Sequence, residues 1–102
     1  MSPHKTTYFE FFDLHEGDFL ADAIDGTTAV DIHAIDPSGR GGNEDNNRIE
    51  NLVPLNRRNH ETFGGKVQYK SMLYKLSFMN LFMKQKEFDM EWLLSQIKKY
   101  EV

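Results

Sequence analysis

Apolar and polar positions divide the chain into an aromatic first segment, a candidate β-hairpin and a helical last third. Residues 6–14 are rich in Phe and Tyr and predict an irregular or short extended lead-in. Asp25-Gly26 is a strong signal for a two-residue turn, and residues 19–24 and 27–35 on either side carry strand-forming side chains. We therefore predict a β-hairpin whose second strand ends in Asp-Ile-His-Ala-Ile at positions 31–35.

The middle of the chain alternates between polar and apolar runs. Residues 36–47 hold Pro37 and three glycines, a composition that predicts a loop without helix. The run Leu-Val-Pro-Leu at 52–55 predicts an edge or very short strand, because Pro54 has no N–H to donate to a neighbouring strand. Asn56 is a suitable N-cap for a helix, which Gly64-Gly65 would end.

The last third has helical spacing of apolar residues. Residues 67–86 predict a long amphipathic helix whose apolar stripe faces the core; the stripe comprises Leu73, Leu76, Met79, Phe82 and Met83. An exposed part of this stripe could support a homodimer. Asp89 or its neighbour is expected to cap a last helix that runs to Lys99. The pattern predicts one α+β domain over residues 1–102, with its C-terminal helical part at 66–100.

Composition narrows the classes of protein to consider. A chain of 102 residues is long enough for one domain. It has no cysteine, which excludes disulfides and thiolate metal or redox sites. No apolar run approaches the ~20 residues of a membrane span, and no signal peptide follows the first residues. We expect a cytoplasmic protein without a membrane partner.

Charge is unevenly distributed along the chain. The net charge of −4 argues weakly against nucleic acid. However, residues 1–36 hold eight acids against one lysine, whereas residues 37–86 hold nine bases against four acids. Such asymmetry can focus a positive potential on one side of the molecule. An ordinary mixed surface explains the same counts, so charge alone does not decide between these interpretations.

Three polar residues stand in a characteristic order: His33 at the end of a predicted strand, Asn51 before a short apolar strand, and His60 near the start of a helix. Around them run Val-Asp-Ile-His-Ala-Ile-Asp, Gly-Arg-Gly-Gly, Asn-Arg-Ile-Glu-Asn-Leu-Val-Pro-Leu and Asn-His-Glu. Over residues 30–61 this text resembles the HNH endonuclease family, also called ββα-metal or His-Me finger nucleases. The match covers about a third of the chain.

The resemblance implies a small ββα-metal domain with a β-hairpin and C-terminal helices packed behind it. It implies metal-dependent hydrolysis of DNA phosphodiester bonds with little sequence preference, with His33 and His60 as ligands of one divalent ion (Mg²⁺, or Mn²⁺, Ni²⁺ or Zn²⁺). Asn51 would brace the long loop. A divalent ion polarises the phosphate, and a neutral imidazole can take the proton from water. Relatives of this length are typical of phages and of bacterial defence or mobile elements.

The sequence departs from the family pattern in two places. The general-base histidine belongs directly after the first ligand, where this chain has Ala34. A methyl group cannot accept a proton, and loss of a general base commonly lowers the rate ~10²–10⁴-fold, so we expect the chain to bind DNA but hardly cut it. Many members also hold a structural zinc with two Cys-x-x-Cys pairs. Asn56 and Asn59 stand at the second pair, so we expect no structural zinc.

Several alternatives stay open. Asp31 is a less favoured metal ligand, Asp36 is more simply a loop residue than a substitute base, and His4 and His15 are more simply surface or structural histidines. The candidate DNA contacts are Arg40, Arg48, Arg57 and Arg58, since the planar guanidinium suits phosphate. The alternative function is a non-catalytic DNA- or partner-binding pseudo-nuclease module. Whether Ala34 is natural or engineered is not readable from the sequence.

Overall fold

The computed structural model describes residues 2–37 and 44–101, and its elements alternate between helix and strand. In chain order they are α1 (Pro3–Phe12), β1 (Asp31–Ala34), β2 (Leu52–Leu55), α2 (Arg57–Phe63), α3 (Lys70–Lys84) and α4 (Met90–Tyr100). Short 3₁₀ turns occupy Glu44–Asn47, Ile49–Asn51 and Val67–Tyr69. The predicted α+β class is confirmed. None of the helices in the described ranges is long and apolar enough to cross a bilayer.

The aromatic lead-in is helical, so the prediction of an irregular or extended segment was wrong. The Ser2 side chain caps α1 by accepting a hydrogen bond from Lys5 N at 3.2 Å, and Pro3 occupies the first helical position, where its missing N–H is not needed. Tyr8 and Phe9 are buried from this helix against Leu52 of β2. Ser2 followed by Pro3 is a helix-start signal that could have been read from the sequence. The many aromatic residues that follow favoured an extended segment instead.

The two strands pair antiparallel, with Asp31 opposite Leu55 and Ala34 opposite Leu52. The prediction that residues 27–35 pair with residues 19–24 was therefore wrong in its partner strand. The Asp25-Gly26 turn does form, with Gly26 at φ 76°, but it closes only a single bridge between Ala21 and Thr28. Strand β1 instead pairs with the Leu-Val-Pro-Leu run, which is short as predicted and buried throughout.

The segment between the strands is partly helical, which corrects the prediction of a loop without helix for residues 36–47. Its last four residues form the 3₁₀ turn Glu44–Asn47. Its central glycines and Arg40 lie outside the described residues.

A set of hydrogen bonds, which we call the α2 clamp, ties the Asp25-Gly26 turn to the start of α2. Asp22, only 3% exposed, accepts from the backbone N–H groups of Ile24 at 2.7 Å and Asn56 at 2.6 Å. Asp25 accepts from the side chain of Asn59 at 3.0 Å. Asn56 caps the helix by accepting from Asn59 N at 2.6 Å, as predicted. The clamp therefore fixes where α2 begins.

The C-terminal helices α3 and α4 pack against each other and against the sheet. The predicted N-cap Asp89 accepts from Trp92 N at 2.9 Å. The buried face of α3 is not the predicted stripe, however: Leu73 is buried, whereas Met79, Phe82 and Met83 are 57%, 59% and 76% exposed. Tyr74, Ser77 and Leu81 take their place inside. Two of the inward residues are polar, so a search for apolar spacing selected the wrong face.

Candidate metal centre

Strand β1 and helix α2 bring His33 and His60 into contact. His33 Nδ1 lies 3.1 Å from His60 Nε2, and the ring centroids are 4.7 Å apart. Because side chains alternate along a strand, Asp31 lies on the same face as His33. Its Oδ2 is 3.0 Å from His60 Nδ1. The result is a continuous line of polar atoms from the carboxylate through both imidazoles.

The direction of each hydrogen bond in this line follows from its carboxylate end. An ionised Asp31 can only accept, so His60 Nδ1 carries a proton and donates it. His60 Nε2 then has a free lone pair, which accepts from His33 Nδ1. The hydrogen bond to His60 is the largest cause that holds the pKa of Asp31 below its usual range. Asp31 therefore fixes the tautomer that presents His60 Nε2 toward His33.

His33 is held neutral by its surroundings. Burial is the largest cause that lowers the pKa of His33 from 6.5 to about 4, and the positive charge of Lys70 lowers it further. Its Nε2 atom is buried and has no hydrogen-bond partner within the described ranges. Buried polar atoms without a partner are uncommon and often mark functional sites. An uncharged imidazole is also the form that a metal ion requires.

The spacing of the two nitrogens suits a shared metal ion. Nitrogen ligands lie ~2.0–2.1 Å from zinc, so two ligands of one ion stand ~3.0 Å apart in octahedral and ~3.4 Å apart in tetrahedral geometry. The observed 3.1 Å falls between these values. Within the part of the chain that the structure describes, no group of three or more His, Cys, Asp or Glu converges on one point. The candidate metal donors are thus two imidazole nitrogens, and Asp31 orients the His60 ring by accepting a hydrogen bond from its Nδ1.

A shallow cavity of about 310 Å³ opens beside the imidazole pair. His33, His60, Glu61, Gly64 and Gly65 line it. Gly64, predicted only as a helix breaker, has a second role here. A Cβ at this position would lie 2.6 Å from His60 Cδ2 and 3.2 Å from His33 Cε1. The absence of a side chain at Gly64 therefore leaves both rings in place.

Asn51 is almost completely buried and braces both described ends of the interstrand segment. Its Nδ2 donates to the carbonyls of Asp36 and Asn46, each at 2.9 Å. Its Oδ1 accepts from Asp36 N at 3.0 Å and lies 2.7 Å from the Tyr74 hydroxyl. The resemblance implied an amide at this position that braces the long loop. The Asn51 amide is hydrogen-bonded to residues at both described ends of the interstrand segment.

Asp36 is the centre of a second polar group, which we call the Asp36 hub. Its carboxylate accepts from Lys70 Nζ at 2.7 Å, the Tyr74 hydroxyl at 2.8 Å, the Tyr100 hydroxyl at 2.8 Å and Gln96 Nε2 at 3.1 Å. Burial raises the pKa of Asp36, but Lys70 and the two tyrosines outweigh it and the net shift is downward. Sequence reasoning missed this hub, because its members are spread over residues 36–100 and no local spacing connects them.

Ala34 lies on the other face of β1 from His33. Its side chain packs with Ile32 against the cluster formed by Tyr8, Phe9 and Leu52. The position assigned to the general base therefore borders α1, not the helix that carries His60.

The four candidate DNA-binding arginines have different environments. Arg48 pairs with Glu50 and Asp89, each at 3.0 Å, and its guanidinium lies 4.2 Å from the Trp92 ring centroid. The Arg48 guanidinium is therefore already engaged in contacts within the protein. The Arg57 side chain is 70% exposed, and its Nε lies 3.3 Å from Asp31. Arg58 is exposed beside it, and Arg40 lies outside the described residues.

The remaining histidines differ from one another. His15 is exposed, whereas His4 is half-buried and its Nδ1 lies 2.9 Å from Asn47 Oδ1.

Comparison with protein-family models, curated proteins and solved structures found no match for this chain.

Proposed function

We propose that this protein is a metal-dependent DNA endonuclease of the HNH type whose activity is impaired by alanine at position 34. His33 and His60 would hold one divalent ion, and the substrate would be a DNA phosphodiester. The observation that carries the proposal is the facing pair of imidazole nitrogens 3.1 Å apart, with Asp31 fixing the tautomer of one and burial keeping the other neutral.

The chain's own residues would divide the work as follows. His33 Nδ1, once its proton has moved to Nε2, and His60 Nε2 would hold the ion, which would supply polarisation of the scissile phosphate. Asp31 holds the His60 ring by its Nδ1–H. Asn51 holds the ends of the interstrand segment that borders the site. Two imidazole ligands favour Mn²⁺, Ni²⁺ or Zn²⁺ over Mg²⁺, which prefers oxygen.

Exposed, positively charged side chains next to the imidazole pair support the proposal of a polyanionic substrate. Arg57 and Arg58 begin α2, the helix that carries His60, and both are exposed. Contacts of this kind go mainly to phosphate and carry little sequence information. We expect binding with low sequence preference that weakens steeply as salt is raised.

The decisive experiment restores an imidazole at position 34. Supercoiled plasmid is incubated with the unaltered chain and with Ala34→His, each with Mg²⁺, Mn²⁺ or EDTA. We expect Ala34→His to nick at least ~10²-fold faster and EDTA to stop it. Ala34→Gln, which adds a polar side chain that cannot take a proton at neutral pH, is the matched control. If Ala34→His cuts no faster with any metal, the nuclease proposal is wrong.

A separate measurement tests the metal site without relying on cleavage. Calorimetric titration with Zn²⁺ or Mn²⁺ should show one site in the unaltered chain, and His60→Ala should remove it. His15→Ala is the control, because that histidine is exposed and outside the site. Equal metal binding by the His60 and His15 variants would contradict the assignment.

The alternative is a pseudo-nuclease that binds DNA or a partner without cutting. The observation in its favour is Ala34 itself, packed against α1 with no proton-accepting atom. Salt-dependent DNA binding by a chain in which Ala34→His never cuts would favour this alternative.

A further inference from the structure

Three apolar side chains on the outer surface of α3 are left uncovered by the fold. Met79, Phe82 and Met83 each expose more than half of their surface. Their spacing of three and four residues puts them on one face of the helix. The outward face of a surface helix is ordinarily charged or polar, whereas no element in the described ranges covers these three side chains. We call them the α3 outer face.

A groove beside the α3 outer face shares one of its residues. Met83 forms part of the groove wall, and the volume of the groove is about 340 Å³. The other walls include Tyr8 and Phe12 of α1, Leu14 and Leu20 after it, and Asn80 of α3. One surface therefore offers both exposed apolar side chains and a largely apolar recess. A two-fold interface needs this combination, because the same patch supplies both of its sides.

The size of the α3 outer face fits a weak dimer. Its three large side chains together expose roughly 350 Å² of mostly apolar surface. Two copies face to face would bury twice this area, and since a homodimer interface is ~65% apolar, the whole contact would cover ~1,100 Å². Specific interfaces begin at ~1,000–1,200 Å², whereas obligate dimers bury ~2,000 Å² or more. The area therefore suits two copies that associate and separate.

The lysines that flank the α3 outer face are held by acids of the same chain. Lys75 pairs with Glu101 at 3.0 Å toward the start of the helix. Lys84 and Lys86 share Asp13 at 3.6 Å and 2.9 Å beyond the other end. The surface thus offers little unpaired charge to a polyanion or an anionic membrane. In an antiparallel pair, the two ends with two lysines each would also lie far apart rather than side by side.

We propose that the α3 outer face is a homodimer interface, in which α3 packs antiparallel against α3 of a second copy. Met79 of one copy then faces Met83 of the other. The same symmetry puts Phe82 opposite Asn80, so that Phe82 enters the groove of the second copy. This interface does not depend on the proposed nuclease function and adds a partner to it.

The test measures the mass of the full-length chain in solution by sedimentation velocity, from about 1 μM to about 1 mM. EDTA is present so that no metal ion bridges two copies, and the series is repeated at ~0.1 M and ~0.5 M salt. Met83→Glu disrupts the face, and Val67→Glu is the matched control at an apolar residue that is 60% exposed elsewhere. Thermal denaturation shows whether each variant is folded.

A mixing experiment tests the antiparallel arrangement and does not rely on loss alone. Met79→Glu and Met83→Lys are made in separate chains. Each variant by itself would bury an unpaired charge against a methionine, so both should be monomeric where the unaltered chain is dimeric. In an antiparallel mixed dimer the introduced carboxylate faces the introduced ammonium group, so mixing the two chains should restore a dimer with one copy of each.

We expect the unaltered chain to dimerise with a Kd of ~1–100 μM, without weakening as salt is raised. Met83→Glu should raise the Kd at least ~10-fold, and Val67→Glu should leave it unchanged. A chain that stays monomeric throughout the concentration range would overturn the proposal. So would a dimer that Met83→Glu does not weaken, one that Val67→Glu weakens equally, or one that mixing Met79→Glu with Met83→Lys does not restore.

Discussion

The Asp36 hub and the imidazole pair are neighbouring polar groups that differ in how completely their hydrogen-bonding atoms find partners. In the hub, every oxygen of Asp36 accepts at least one hydrogen bond and Asn51 uses both ends of its amide. In the imidazole pair, His33 Nε2 is buried without a partner among the described residues, and one hydrogen bond holds the two rings together. A satisfied network specifies one arrangement, whereas the imidazole pair leaves one buried nitrogen without a partner among the described residues. We therefore expect stability to depend mainly on the hub, and the proposed metal binding on the imidazole pair.

The largest effect should come from replacing Asn51, which is hydrogen-bonded to the backbone of Asp36 and to the Tyr74 hydroxyl of the hub. Asn51→Ala leaves the N–H of Asp36 and the carbonyls of Asp36 and Asn46 without their side-chain partner. Each unsatisfied buried group costs ~1–3 kcal/mol, so we expect a loss of at least ~3 kcal/mol in the free energy of unfolding, measured by urea denaturation. Gln68→Ala, at an exposed amide, should change it little. A loss below ~1 kcal/mol would show that the hub does not hold the interstrand segment.

The lowered pKa of His33 should make the free energy of unfolding depend on pH. The pKa of His33 falls from the ordinary 6.5 of a solvated imidazole to about 4 in the folded chain, so the unfolded chain takes up a proton first as the pH falls. Stability should be complete above pH 6.5 and decline toward pH 4, by at most ~3 kcal/mol. Denaturation curves of the unaltered chain and of His33→Phe between pH 7 and pH 4.5 measure this difference. Identical pH slopes would refute it.

Gly64→Ala should disturb the imidazole pair without disturbing the Asp36 hub. The added methyl would lie 2.5 Å from the His60 backbone carbonyl oxygen and 2.6 Å from His60 Cδ2, so both the end of α2 and the ring must shift, and overpacking of this kind costs ~1–3 kcal/mol. We expect Zn²⁺ affinity to fall at least ~10-fold, while the hub stays intact. Gly65→Ala is an unsuitable control because φ there is 75°, so Thr62→Ala, on the exposed surface of α2, is used. Unchanged zinc affinity in Gly64→Ala would show that the two rings have room to move.

The smallest effect is expected for Tyr100→Phe, which removes one of the four donors to Asp36. The loss should be ~1 kcal/mol in urea denaturation, with Zn²⁺ affinity unchanged. A large fall in zinc affinity would instead mean that the hub and the imidazole pair are coupled.

Local signals in the sequence were enough for some features and not for others. The Asn56 cap, the last helix beginning after Asp89 and the meeting of His33 with His60 each depend on short-range spacing, and the structure places them as expected. The pairing of β1 with β2 spans the interstrand segment, and a strong turn at Asp25-Gly26 favoured the wrong partner. The inward face of α3 carries Tyr74 and Ser77 because Asp36 and the Glu50 carbonyl give their hydroxyls partners. Such long-range polar contacts are invisible to hydrophobic periodicity.

The α2 clamp has a consequence for the order in which the site is assembled. Asp22, Asp25, Asn56 and Asn59 fix the start of α2 with hydrogen bonds alone, so His60 would reach its position before any ion arrives. With the proposed metal site, the chain would fold first and bind the ion afterwards, in contrast to small domains that fold only around their metal. The ion could then be exchanged without unfolding the protein. Its identity would depend on which divalent cation the surroundings supply.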